Sequence, residues 1–360
     1  MKDIIEKIVN KTGRNTGIFG ENIPRAEEKG VYSFAPLHQW TTGFWGGLLW
    51  INYLFSGDEK FKESAEALEE RMDELIFTRT MPQHDVGFMW LLTSGINYKL
   101  TKNEKSRIRI LQMADHLSAR FNIKGNFIRA WDMDGAKGVA IIDCMMNLPI
   151  LFLASKELND PRFVHVAKAH ADKTLEYFID DDGAVRHQCQ FDEETGELVE
   201  IRGGQGYAPD SSWSRGAAWA IYGFAMMYTN TGDKKYLDAA EKVSRFFLNE
   251  IKEDFVPAWD FRAPNREIKD ASAGAIAACG MLEISKYAGD TEFYVENAKK
   301  IISALWEKCG NPDEGFQSVL SHSTGFLPNG KEVNVGLIYA DYYFAEAVYR
   351  LTSGKNEFLW

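Results

Sequence analysis

Two aspartates occupy matching points of a repeated unit. Asp85 lies in His84-Asp85-Val86-Gly87-Phe88-Met89 and Asp143 in Ile141-Ile142-Asp143-Cys144-Met145-Met146-Asn147. Paired carboxylates suit general acid/base chemistry if one of them keeps a proton near neutral pH. A carboxylate at a helix start normally has its pKa lowered, so burial or a like-charged neighbour must hold that proton. The second aspartate is the obvious neighbour. Helix capping is the plainer reading, because Asp is favoured at a helix start for ordinary reasons. The equivalence of the two positions points instead to one shared cavity, a layout for acid/base work on a sugar. Arg215 opens another unit, Trp213-Ser214-Arg215-Gly216-Ala217-Ala218-Trp219, where Arg215 and Trp219 share a face at i,i+4, as Asp143 and Asn147 do. Arg215 suits either a salt bridge to a loop carboxylate or bidentate capture of a substrate carboxylate. His187 and Gln205 precede that unit in a long connection, where a simply exposed histidine is the alternative. Trp40, Trp45, Trp131 and Trp213 are equally suited to stacking on sugar rings and to filling the core.

The elements that position these residues repeat. Five times an apolar, small-residue-rich segment leads through a short polar turn into an amphipathic helix. The turns are Ser56-Gly57-Asp58, Thr101-Lys102-Asn103, Leu158-Asn159-Asp160, Thr231-Gly232-Asp233 and Ala288-Gly289-Asp290. Each closes on Asp or Asn, whose side-chain oxygen can cap the next helix. Helices after the turns carry one apolar stripe, as in Phe61, Ala65, Leu68 and Met72, and belong to an outer layer. Segments before the turns are apolar nearly all round, as over residues 216–224, and belong inside.

Inner helices are expected near 43–55, 86–100, 140–156, 215–230, 271–287 and 336–352. Outer helices are expected near 58–76, 103–121, 160–178, 233–251 and 290–308, with an N-terminal helix near 2–12 as the sixth. Six of each predict an all-α fold, an (α/α)6 barrel forming a single domain over residues 1–360. An open α-solenoid would have more uniform repeats and polar caps at its ends. The longer connections, 13–42, 122–139, 179–214, 252–270 and 309–335, all precede inner helices, so they gather on one face, where sites are usually built. Within residues 179–204 a small β excursion is expected, from Val185 to Phe191 and from Leu198 to Arg202.

A 360-residue chain with 45% hydrophobic and 26% charged residues has an ordinary globular composition, able to bury a large core. Its net charge of −11 argues against nucleic acid and anionic membrane as partners, and an anionic substrate would need a local basic pocket. Aromatic content is high, with ten Trp. Four widely spaced cysteines form no CxxC pair, which favours free thiols in a reducing compartment over a zinc site. The first ten residues are amphipathic rather than signal-like, and no apolar run approaches membrane-span length, so a cytoplasmic location is expected.

The motifs at 84–89 and 141–149, Arg186-His187 with Phe191-Asp192, Gln205-Gly206-Tyr207 and 213–219 together resemble the unsaturated glucuronyl hydrolases of glycoside hydrolase family 88. Pro257-Ala258-Trp259-Asp260-Phe261, Asp270-Ala271-Ser272-Ala273 and Asp341-Tyr342-Tyr343-Phe344 extend the resemblance from about residue 36 to the C-terminus. Such enzymes are (α/α)6 barrels that hydrate the C4=C5 bond of a terminal unsaturated uronic acid, left on oligosaccharides by polysaccharide lyases. The resemblance implies Asp143 as general acid/base and Asp85 as its partner carboxylate. It implies substrate contacts for His187, Gln205, Arg215, Trp219, Trp40, Trp131 and Tyr342, no metal or organic cofactor, and a monomer or homodimer. The 213–219 motif departs from the family's common Trp-Ala-Arg-Gly-Gln-Ala-Trp, and no Ser/Lys cluster for sulfate is recognisable, although Lys331 lies in the corresponding loop. Rival readings are an unsaturated rhamnogalacturonyl hydrolase, a sugar epimerase and a non-catalytic sugar-binding barrel. An epimerase commonly uses paired histidines, whereas of seven His only His84 opens an inner segment.

Overall fold

Helix type follows the hydrophobic pattern along the chain in the computed structural model, which describes residues 1–78 and 83–360. The first half holds α1 (Lys2–Phe19), α2 (Thr42–Ser56), α3 (Glu59–Arg71), α4 (Asp73–Thr78), α5 (Val86–Trp90), α6 (Ile96–Thr101), α7 (Glu104–Ala119), α8 (Pro149–Leu158) and α9 (Arg162–Phe178). The second half holds α10 (Ser214–Thr231), α11 (Lys234–Ile251), α12 (Ala271–Ile284), α13 (Thr291–Cys309) and α14 (Ile338–Thr352). Every residue of α12 is buried, as are Ser214 to Met227 of α10, so these apolar helices have neighbours on all sides. By contrast α11 buries Tyr236, Ala240, Val243 and Phe247 while exposing Lys234, Asp238, Lys242 and Arg245.

The inner segments touch in cyclic order. α2 packs on α14 and on the α5–α6 segment; α10 packs on α12 and on residues 142–146; α12 packs on α14. Gly87 of α5 abuts Asn147, so the chain of contacts returns to its start. Such closeness needs bare backbone in places: a Cβ on Gly280 would come within 2.9 Å of the Tyr222 backbone.

Two inner units depart from the continuous helices expected near 86–100 and 140–156. The first is interrupted by a π turn, Leu91–Gly95, where the Thr93 hydroxyl donates to the Met89 carbonyl at 2.7 Å. In the second a strand and a 3-10 turn, Ile142–Met146, come first, and α8 starts only at Pro149, a residue that suits a first helical position. These are the units that carry the two aspartates.

The chain is mostly helical, as expected, but the described residues add three small antiparallel sheets that a purely helical reading leaves out. Their strands are β1 (Ile23–Glu28), β2 (Val31–Ala35), β3 (Phe121–Asn122), β4 (Phe127–Ile128), β5 (Val139–Ile141), β6 (Gln188–Phe191), β7 (Leu198–Arg202) and β8 (Gly336–Leu337). They pair in the orders β2-β1-β8, β3-β4 and β5-β6-β7. The expected excursion is thus present as β6 and β7, with β5 added on one side. The β1–β2 hairpin was absent from the sequence reading; it turns at Lys29 and Gly30, both at positive φ.

Four of the five polar turns cap as expected. Asp58 accepts from the Lys60 amide, Asn103 from Lys105 and Ser106, Asp160 from Arg162, and Asp290 from Phe293. Asp233 makes no cap bond and lies 3.4 Å from the Lys168 ammonium. All four cysteines are free and buried. Among the described residues no helix is long and apolar enough to cross a membrane.

Candidate active site

Asp85 holds the N-cap position of α5, yet its side chain caps nothing, and Asp143 sits uncapping in the 3-10 turn. Both carboxylates therefore remain available to the cavity, their side chains 19% and 11% exposed. The β5–β6 pairing delivers His187 beside Asp143: Ile141 stands opposite Gln188, and the Ile142 amide donates to the His187 carbonyl at 3.1 Å. His187 Nε2 then lies 3.5 Å from Asp143 Oδ2. Because the Gln205 amide donates to His187 Nδ1 at 2.8 Å, a neutral imidazole carries its proton on Nε2, facing the carboxylate. His84 Nε2 lies 3.4 Å from Asp85 Oδ1, and burial drives the His84 pKa down to about 3, so this imidazole is neutral.

Burial, and then the Asp143 charge, push the Asp85 carboxyl well above the usual carboxylate range against opposing effects of Arg120 and Asn147. The Asp143 charge beside it thus favours a proton on Asp85. Asp143 Oδ2 is buried with no hydrogen-bond partner among the described residues.

One cavity of about 270 Å³ gathers Asp85, Asp143, His84, His187, Gln205, Trp40 and Trp131. Three expected contact residues lie elsewhere. Tyr342 is 1% exposed, wedged among Phe44, Tyr343 and Gly47, while Tyr339, one turn earlier on α14, lines the cavity. Trp219 is wholly buried against Phe88 and Tyr343. Arg215 makes the salt bridge rather than the open clamp. Nη1 bonds Asp270 and the Thr324 carbonyl, and Nη2 bonds the Gly325 carbonyl at 2.6 Å and Gln205 Oε1 at 3.1 Å. Its fork is fully occupied by protein, and it shapes the cavity through Gln205 and Gly325. Trp45 and Trp213 are core residues, Trp213 lying against His187 and Arg215.

Cavity residues missed by sequence reasoning include Arg25, Gly325, Phe326, Glu332 and Tyr339. Arg25 pairs with Glu332 at 2.6 Å and, among the described residues, is the one Lys or Arg of the cavity lining, a place where Arg215 was expected. The hairpin signal at Lys29-Gly30 and the i,i+3 spacing of Tyr339 and Tyr342 were the available clues. Among the described residues no cluster of three or more His, Cys, Asp or Glu is placed to hold a metal ion.

A pair of uncapped carboxylates, one pushed up by burial, in an aromatic-walled cavity is the equipment of a glycoside hydrolase. The model of Glycosyl Hydrolase Family 88 matches residues 17–352, and the chain belongs to that family. An unsaturated glucuronyl hydrolase from Bacillus sp. (strain GL1) is 34% identical over 95% of this chain and 94% of its own length. An unsaturated chondroitin disaccharide hydrolase from Streptococcus pyogenes serotype M1 is also 34% identical, over 96% of this chain and 89% of its own. The crystal structure of the unsaturated glucuronyl hydrolase from Bacillus sp. GL1 superposes with a TM-score of 0.96 at 31% identity, covering 100% of this chain and 98% of that one.

Proposed function

We propose that the protein releases the 4,5-unsaturated uronic acid from the non-reducing end of lyase-generated oligosaccharides of glycosaminoglycan type. The observation that carries this reading is the Asp85–Asp143 pair, uncapped and facing one aromatic-lined cavity. Solved relatives support the unsaturated uronic acid terminus, since one holds dGlcA-Glc-Rha-Glc, and the glycosaminoglycan type, since another, from Streptococcus agalactiae, holds dGlcA-GalNAc6S. We assign the scaffold to the (α/α)6 barrel, as a single catalytic domain, on the strength of the cyclic contacts among inner segments. Buried free thiols accord with a cytoplasmic location.

In this reading Asp143 donates a proton to C4 of the vinyl ether, the π electrons forming the new C–H bond. Positive charge develops at C5 and the ring oxygen, facing the carboxylates. Water bonds to C5 and returns its proton to Asp143. The resulting hemiketal opens by breaking the bond from C5 to the ring oxygen, and the exposed anomeric hemiacetal releases the remaining sugar. Asp85 tunes the proton affinity of Asp143. Trp40 and Trp131 present aromatic faces to the sugar, while His187 and Gln205 supply polar contacts.

The test follows loss of double-bond absorbance with unsaturated disaccharides from chondroitin, hyaluronan and pectin. Asp143→Asn lowers turnover on the order of 10²–10⁴-fold while substrate still binds. An active variant removes Asp143 from its role. Consumption of the pectin-derived disaccharide alone would replace this reading with a rhamnogalacturonyl hydrolase.

A further inference from the structure

That Asp85 leaves the amides of its own helix uncapped requires an explanation. An Asp at an N-cap normally accepts from the second or third amide of its helix, and doing so lowers its pKa. The third amide of α5 belongs to Phe88, and it donates instead to Asn147 Oδ1 at 2.8 Å. Asn147 is wholly buried, and its side-chain nitrogen lies 3.5 Å from the Asp143 carbonyl. The same side chain hydrogen-bonds the Asp85 carboxylate. A Cβ on Gly87 would overlap the Asn147 backbone, so the two aspartate-bearing turns meet at this one contact.

We propose that Asn147 is a positioning residue for the reaction: it caps α5 from the neighbouring turn, taking the amide that Asp85 would otherwise accept, and so keeps Asp85 in the cavity. The inference rests on the hydrolase reading above, since it deepens the role of that site. Two linked effects follow. The Asp85 carboxylate is held beside the Asp143 charge that raises its pKa, and it takes one hydrogen bond from the Asn147 side chain in place of the helix-end amides. The titratable and charged groups that act on the pair are His84, His187, Arg120, Arg215 and the Cys144 thiol, all retained in the variants below.

Asn147→Ala leaves the Phe88 amide open, so Asp85 turns back to cap it. We expect kcat to fall on the order of 10²-fold with KM changed less than about threefold, as displacement of a catalytic group does. The alkaline limb of the kcat/KM profile moves down by about one pH unit, because Asp85 exchanges the Asn147 hydrogen bond for a helix-end amide and also leaves the burial and the Asp143 charge that raise its pKa. Asn147→Asp keeps an oxygen for the Phe88 amide and adds a negative charge, so its alkaline limb stays or moves up. Melting curves confirm that both variants are folded; if Asn147→Ala is not, the limb of Asn147→Asp decides. The inference is overturned by equal, pH-independent losses in both variants, by a downward limb in Asn147→Asp, or by an unchanged Asn147→Ala. All comparisons use a wild type that consumes unsaturated disaccharide; a wild type that does not overturns the hydrolase reading itself.

Discussion

Arg215 illustrates how a residue near a site serves it without facing the substrate. Its guanidinium is 2% exposed and bonds Asp270, which is itself wholly buried. Asp270 also accepts from the Ser272 amide and so anchors the start of α12. Truncating Arg215 strands that carboxylate in a dry interior, and removing one partner of a buried pair costs about 3–5 kcal/mol. Arg215→Ala therefore lowers the midpoint of thermal or denaturant unfolding strongly, and lowers kcat/KM through the loosened Gln205 and Gly325. A variant of wild-type stability with only KM raised would return Arg215 to the role of carboxylate clamp. Sequence alone could not separate the two uses. A buried arginine and a ligand-facing one sit at the same place in the helical pattern, and the Asp270 partner lies 55 residues away.

Among the elements, what the sequence made legible was whatever depends on local chemistry. The five turns were readable because an Asx side chain, a helical stripe and an apolar segment recur in that order. Four caps form, and the five turns differ in what they contribute. Asn103 accepts from two amides, whereas Asp233 accepts from none. We expect Asn103→Ala to destabilise by about 1 kcal/mol and Asp233→Ala by about half or less, since its partly exposed ion pair contributes little. Equal losses in urea unfolding would show that the cap bonds are not what distinguishes these turns. Less legible were the π turn at 91–95 and the strand-turn-helix at 139–158, because a fully apolar segment looks alike whether or not its helix is continuous. The choice between Tyr339 and Tyr342 failed for a related reason: a helix buried on every side has no sequence-visible inner face. Arg25 and Glu332 reach the cavity only because β1 pairs with both β2 and β8, a long-range pairing that no local pattern records.

Across the whole molecule, the two ends of the chain are tied together by one buried carboxylate. Asp341 on α14 accepts from the Tyr32 hydroxyl of β2 at 2.8 Å and from the Val319 and Leu320 amides at 2.9 Å. The N-terminal hairpin, the connection after α13 and the last inner helix thus meet at one side chain, behind the wall that carries Arg25 and Glu332. Burial raises the Asp341 pKa to about 7 even though these three bonds and Lys11 favour the charged form. The sign of the linkage follows directly. The folded state binds this proton more tightly than the unfolded chain, so the stabilisation is complete below the ordinary carboxylate pKa. It diminishes as pH rises and is gone once pH passes about 7. Between pH 5 and 8 this site alone removes roughly 2–3 kcal/mol of stability. Asp341→Asn lacks the titration: it carries a fixed cost of about 1–3 kcal/mol, because its amide nitrogen faces a backbone N–H. The gap between wild type and Asp341→Asn, measured by urea unfolding, should therefore narrow steadily from pH 5 to 8. Parallel stability curves would mean that Asp341 stays ionised throughout and that the clamp on the chain ends is a charged one.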